Sequence, residues 1–382
     1  MRARYLGAFA LVSAASLVVV TVSGATDVAD PVSVTAARVQ PPGRTVSVVA
    51  VGDFLAEGLV NNAARAAAGP GVRFDYEPLL RPLAPVVQWA DVAICHMETP
   101  ITGPGGTVGF AGDGPYGTNL VAAAWETPFD LRRVGFDRCS TASNHAYDLG
   151  TDGVRVTLEA LDAAGLGHSG TARSPQEAAV STFVVNGVRM AHLSYARNSN
   201  TGFPADDWRI DKALTPDKVI ADIAAARSAG AELVIVSMHV YVEMLPTPTT
   251  EDRSLVTAII GAAHPDLVVV HGPHVPQPVE RVGGTPVYWS LGNFISGMGV
   301  AGRGKYSDAR TLDGVLAAVR FTQQPDGTWA SDTSNVALCN VTGSRVVYPG
   351  VPMLQDPTIS AGLRTQLTAC VNRTATVVND LR

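Results

Sequence analysis

A chain of 382 residues can hold one large domain or two ordinary ones, and 46% apolar against 16% charged residues describes a globular chain with a substantial core. The net charge is −6 and the Lys and Arg residues are scattered, so the sequence lacks the basic footprint of a nucleic-acid binder. No nucleic acid is expected as a partner.

Arg2 and Arg4 precede an apolar run from Tyr5 to Val22 and the small residues Ser23-Gly24-Ala25. This is the order of a secretory signal over residues 1–25, with cleavage expected after Ala25. The length of the run leaves an uncleaved N-terminal membrane anchor as the alternative. Residues 26–44, rich in Val, Thr, Ala and Pro, read as a linker. Either reading places the protein outside the cytoplasm, secreted or on the cell envelope. There the four cysteines meet an oxidising setting, where pairing is expected. Cys339 and Cys370, both near the C-terminus, are the favoured pair. Cys95 and Cys139 sit in predicted strands and either pair, if those strands are neighbours, or stay as buried thiols.

Thr45 to Val51 is the first predicted strand and ends in Gly52-Asp53. A carboxylate there can hold a cation at a sheet edge or cap the helix predicted from Glu57 to Ala68. Leu79 to Trp89 is apolar-periodic despite Pro82 and Pro85. Asp91 to Cys95 is the next strand, and it delivers His96 and Glu98 on one face. Gly103 to Gly117 is glycine-rich without a phosphate-loop pattern and reads as a mobile loop over the site. Thr127 to Val134 reads as a short helix leading into the strand that ends in Ser143-Asn144-His145. A helix follows with Val154, Leu158 and Leu161 on one face, stopping at Ala164-Gly165.

Ala179 to Val185 and Arg189 to Tyr195 form a hairpin through Asn186-Gly187, which implies a mixed sheet. Pro216 to Ala229 is helical with Thr215 as its expected cap. The strand Leu233 to Ser237 ends in Met238-His239, with Glu243 beyond. After a helix from Glu251 to Ala263, the strand Leu267 to Val270 ends in His271-Gly272-Pro273-His274, and Gln277 and Glu280 follow. Pro286 to Ser290 is a strand ending in Leu291-Gly292-Asn293. Val315 to Thr322, Asn335 to Val341 and a helical tail from Ser360 to Val378 complete the chain. Strand after strand thus finishes in polar residues: Asp53, His96 with Glu98, Asn144 with His145, His239, His271 with His274, and Asn293. One such end has many explanations, but the repetition points to an active site or metal centre at the carboxyl edge of a sheet.

At these residues the chain resembles the CapA family, the poly-γ-glutamate capsule biosynthesis proteins related to metallophosphoesterases. The matching motifs are Gly52-Asp53, Met97-Glu98-Thr99-Pro100, Ser143-Asn144-His145-Ala146-Tyr147-Asp148 with Gly150, and Met238-His239 with Glu243. They continue with His271-Gly272-Pro273-His274-Val275 with Gln277 and Glu280, and Tyr288-Trp289-Ser290-Leu291-Gly292-Asn293-Phe294. The resemblance implies an α/β fold, a four-layer α/β/β/α sandwich with mixed sheets over residues 45–322, and a C-terminal extension, 323–382, packed on it. It implies divalent metal ions (Mn, Zn or Fe) held by Asp53, Glu98, Asn144, His239 and His274, with Glu98 bridging. His145, with Asn144, faces the substrate oxyanion, and Glu243, Gln277 and Asn293 contact substrate. Three positions depart from the family: His96 stands in place of Asn, Gly272 in place of a His, and Val240-Tyr241 in place of Trp-Gly. His271 and His96 are further metal candidates, since either could reach a displaced ion. The implied function is synthesis or processing of an anionic cell-surface polymer or its precursor, beside a membrane-bound synthase complex. Metal-dependent hydrolysis of a phosphoester or amide is one form of it. A non-catalytic polymer-binding accessory with a degenerate metal site is the alternative.

Overall fold

A computed structural model describes residues 43–302 and 304–382. The expected signal or anchor, and all but two residues of the expected linker, lie outside the described residues. The chain opens with β1 (Thr45–Phe54), α1 (Gly58–Ala67), the single-turn helices α2 (Glu77–Leu80) and α3 (Ala84–Val87), and β2 (Val92–His96). Then come β3 (Gly109–Asp113), β4 (Asn119–Ala122), α4 (Thr127–Val134), β5 (Arg138–Ser140), α5 (Gly150–Ala163) and β6 (Gly167–Ser169). They are followed by β7 (Phe183–Val185), β8 (Val188–Ala196), α6 (Pro216–Ser228), β9 (Leu233–His239), α7 (Thr250–Ala263), β10 (Leu267–His271), β11 (Val279–Val282) and β12 (Thr285–Tyr288). The last elements are β13 (Asn293–Ile295), β14 (Asp313–Gln323), β15 (Trp329–Asn340), β16 (Val347–Pro349), α8 (Gly350–Leu354) and α9 (Ala361–Thr374).

Two mixed sheets result. The first runs β16-β15-β14-β1-β2-β5-β6 with β13 beside β1, and the second runs β11-β12-β10-β9-β8-β7. In the first, β1 is parallel to β2 and antiparallel to β14. Alternate residues of β1 enter different cores, which is why its sequence is a continuous apolar run. Val46, Val48 and Ala50 meet Met190, Ile235 and Val269 between the sheets. Val49 and Val51 meet Leu80, Leu131 and Leu158 beneath the helices on the outer face. On the far side of the second sheet, Val234 and Val236 pack against Ile223, Val256 and Ile260 of α6 and α7. The layers are therefore helix, sheet, sheet, helix, as the sequence implied. Among the described residues, no helix is long and apolar enough to cross a membrane.

The hairpin of β7 and β8 turns through Asn186 and Gly187, both at positive φ (51° and 76°), as an Asn-Gly turn requires. Elsewhere the structure differs from the sequence reading. The stretch from Leu79 is broken into α2, a 3-10 turn and α3, because Pro82 and Pro85 interrupt the ladder of amide donors. The glycine-rich segment is not a featureless loop: β3 pairs with β4, and the Asp148 carboxylate fastens that hairpin by accepting the Val121 amide at 2.8 Å. Thr215 precedes α6 in extended conformation, but its hydroxyl donates to Asp217 and caps no amide.

Beyond β14, strands β15 and β16 extend the first sheet and α9 covers β15. Cys339 of β15 is joined to Cys370 of α9, the expected pair. Cys95 and Cys139 face each other in register on β2 and β5 and are also joined, so the neighbouring-strand alternative is the one realised.

Candidate metal centre

Parallel strands carry their carboxyl ends to one edge of each sheet. The ends of β1, β2 and β5 in the first sheet and of β9 and β10 in the second bring seven polar side chains together. Asp53, His96, Glu98, Asn144, His239, His271 and His274 are all buried. Asp53 Oδ2 lies 3.0 Å from His274 Nδ1, while Oδ1 lies 3.6 Å from His271 Nδ1 and 3.9 Å from His96 Nε2. Glu98 Oε1 stands 3.9 Å from His239 Nε2 and 3.8 Å from His274 Nε2. Two groups of ligand atoms, Asp53-His96-His271 and Asp53-Glu98-His274, are each close enough to hold an ion, and Asp53 is common to both.

Several of these atoms have no hydrogen-bond partner. Asp53 Oδ1, both Glu98 carboxylate oxygens, Asn144 Oδ1, His239 Nε2 and His271 Nδ1 are buried and unsatisfied. Each such atom costs about 1–3 kcal/mol, so a cluster of them persists where another species completes it. Carboxylate, amide oxygen and imidazole suit Mn, Fe and Zn alike. The donor set fits a divalent cation.

The electrostatics agree. Burial lifts the Glu98 carboxyl well above the usual range, and the neighbouring Asp53 adds to the effect. Burial works the same way on Asp53, but the adjacent His271 and His274 imidazoles overcome it and hold that carboxyl well below its usual value. Burial pushes the His239 and His96 imidazoles well down. His274 is raised to about 10, because Glu98 and Asp53 outweigh its own burial. The site therefore pushes its two carboxyls apart, Asp53 down and Glu98 up, with the His274 imidazole drawn toward its charged form between them.

A cleft of about 520 Å³ opens beside the cluster, lined by Asn144, His145, Asn200, Tyr241, Glu243 and Tyr306 among others. Asn144 Nδ2 donates to Asn200 Oδ1 at 3.2 Å, which leaves the Asn144 carbonyl for the site. His145 Nδ1 is 2.6 Å from the fully buried Asp148 carboxylate. Glu243 Oε2 accepts from the Tyr306 hydroxyl at 3.1 Å. The other two residues expected to contact substrate do not line the cleft. Gln277 is buried and donates to the Leu245 carbonyl, and Asn293 is held between His274 Nδ1 and the Thr311 carbonyl. Asn293 supports His274; it does not reach the cleft.

Gly272 has φ +101°, and a Cβ there would fall 2.3 Å from Tyr241 Cδ1. A side chain at position 272 would collide with Tyr241, and His271, one residue earlier, is the one that approaches Asp53. His274 is itself a non-glycine residue at φ 61°, a strained conformation of the kind kept at functional sites. The sequence reading gave no site role to Asp148, a motif position, or to Tyr241, a departure from the family pattern, and did not name Asn200. Asp148 was within reach of it, since His145 and Asp148 are three residues apart in one turn. Asn200 and Tyr241 lie in irregular segments where no period marks a side chain's direction.

The family described as bacterial capsule synthesis protein PGA_cap matches residues 47–298. The chain is 30% identical over 227 residues to the PGA biosynthesis protein CapA of Bacillus subtilis (strain 168), covering 56% of this chain and 54% of that protein. It is 28% identical over 184 residues to the capsule biosynthesis protein CapA of Bacillus anthracis, covering 47% and 44%. The chain thus spans about half the length of the curated relatives it matches. Among solved structures, the calcineurin-like phosphoesterase YfkN from Bacillus subtilis aligns with a TM-score of 0.47 at 11% identity, over 88% of this chain and 99% of that one. The family match contains every residue of the buried cluster, and this chain belongs to the bacterial capsule synthesis protein (PGA_cap) family.

Proposed function

We propose that this chain is exported and acts in the synthesis or processing of an anionic capsule or cell-surface polymer of the poly-γ-glutamate type, by metal-dependent hydrolysis of a phosphoester or amide bond. The observation that carries the reading is the set of buried, unsatisfied ligand atoms on Asp53, Glu98, Asn144, His239 and His271. Family membership and the names of the two relatives support the polymer. Two disulfides and the N-terminal sequence pattern support export.

Asp53, Glu98, Asn144, His239, His271 and His274 would hold the metal. A bound divalent ion supplies Lewis acidity toward a carbonyl or phosphoryl oxygen and makes water a better nucleophile at neutral pH. His145 lines the cleft with Nδ1 on Asp148 and Nε2 3.3 Å from the Asn200 amide nitrogen, so a substrate that displaces Asn200 would meet an imidazole able to hold or release a proton. Asn200, Glu243 and Tyr306 line the path along which the substrate lies. The partners on this reading are the polymer or its precursor and a membrane-bound synthase complex.

The test is elemental analysis of the protein after loading with Mn²⁺, Zn²⁺ or Fe²⁺, beside an Asp53→Ala/His239→Ala variant, followed by phosphoester and γ-glutamyl amide screens. About one or two equivalents, lost in the variant, with turnover in one screen, is the expected result. Metal without turnover but with polymer binding would favour the accessory reading. No metal in the parent protein would end the hydrolytic proposal.

A further inference from the structure

His96 lies near enough to Asp53 and His271 to be grouped with them as a metal donor. Its hydrogen bonds say otherwise. His96 Nε2 is 3.0 Å from His239 Nδ1, and His96 Nδ1 is 2.7 Å from Ser140 Oγ. The far nitrogen of His239, Nε2, is buried, unsatisfied and aimed at Glu98.

For His239 Nε2 to present a lone pair to an ion, the ring's proton must sit on Nδ1. That proton then donates to His96 Nε2 and occupies its lone pair. The His96 proton is left on Nδ1 and donates to Ser140, whose hydroxyl turns to the Cys95 carbonyl at 3.4 Å. Every donor in this chain meets an acceptor. If His96 Nε2 were itself a ligand, the His239 proton would point at a lone pair already committed. With the proton on the other nitrogen, two lone pairs would face each other at 3.0 Å and His239 Nε2 could not bind. The His96 ring also stacks on His271, centroids 3.9 Å apart and planes 14° apart, so it braces a second imidazole whose Nδ1 is unsatisfied.

We propose that His96 is a positioning residue: it fixes the tautomer of His239 through a Ser140–His96–His239 relay and braces His271, while binding no metal itself. The inference rests on the metal-centre reading above. Ligand imidazoles held this way by an outer partner lose about 10–100-fold in metal affinity when that partner is removed.

The experiment is Zn²⁺ titration against a chromophoric chelator, with elemental analysis at saturation, of the parent protein and the His96→Leu, His96→Gln and Ser140→Ala variants. The expected result is unchanged stoichiometry throughout. Affinity should fall about 10–100-fold in His96→Leu, fall less in Ser140→Ala, and be largely restored in His96→Gln, whose amide oxygen can still accept from His239. If His96→Leu does not fold, the Gln and Ser140→Ala variants decide the matter on the same criteria. Loss of one metal equivalent in the His96 variants makes His96 a ligand and overturns the inference while leaving the metal centre intact. Parent-like affinity in all variants overturns it as well. No binding by the parent protein overturns the metal-centre reading itself, and this inference with it.

Discussion

The ring of Tyr241 stands where a side chain on residue 272 would have to be: a Cβ added to Gly272 would lie 2.3 Å from Tyr241 Cδ1, 2.6 Å from Cγ and 3.0 Å from His239 Nε2. Tyr241 and any side chain at 272 therefore compete for one volume. Gly272→Ala should destabilise the protein by about 1–3 kcal/mol through overpacking and the positive φ. Pairing it with Tyr241→Gly should recover the clash but not the φ strain, a coupling of about 0.5–3 kcal/mol in a denaturation double-mutant cycle. Strict additivity would show that the two positions do not compete for space.

The buried carboxylates make the centre costly without an ion. Adding Mn²⁺ or Zn²⁺ at about 100 times its dissociation constant should stabilise the protein by about 2.7 kcal/mol, and EDTA should reverse the gain. Burial disfavours the charged form of Glu98 in the metal-free site, so Glu98→Gln, which keeps the shape and removes the charge, should melt no lower than the parent without metal. It should show little of the metal-induced rise. Thermal melts with and without metal check this, and a full rise in Glu98→Gln would remove Glu98 from the ligand set.

The sequence made the strand ends legible because each apolar run stops at a polar residue, and parallel strands carry those residues to one edge. Asp53, Glu98, His239 and His274 could be picked out on that ground. Direction was not legible. Gln277 and Asn293 sit in the right motifs yet spend their amides on Leu245 and on His274 with Thr311. Tyr241 belongs to an irregular segment, and its place over Gly272 depends on the approach of β9 and β10. The β3–β4 hairpin was hidden by its glycines, which carry little strand signal, and is fastened by Asp148 from a distant turn.

Arg373 ties α9 to β14 by donating twice to the buried Asp313 carboxylate, at 2.7 Å each. Burial raises Asp313 to about 6, with Arg373 pulling the other way. A carboxyl raised in the folded state binds its proton more tightly there than when unfolded, so its contribution to stability falls as pH rises from about 4 through 6. Arg373→Met leaves that charge uncompensated. The cost should be about 2–3 kcal/mol near pH 8, below the range for fully buried pairs because Arg373 is partly exposed, and smaller near pH 5. Urea denaturation at the two pH values measures it, and an equal cost at both would show that the charge is not what matters.

His145 and Asp148 make the clearest prediction about chemistry. Asp148 Oδ2 faces His145 Nδ1 at 2.6 Å and also receives the Val121 amide, so Asp148→Asn can keep the hairpin contact while losing the charge that orients the imidazole. On whichever substrate the screen identifies, Asp148→Asn and His145→Gln should each lower kcat by about 10²–10⁴, with KM and bound metal near parent values. A residue that merely shaped the cleft would raise KM instead. If kcat stays at the parent value in His145→Gln, the imidazole moves no proton in the reaction. The imidazole is then only part of the Asn200–His145–Asp148 hydrogen-bonded wall of the cleft.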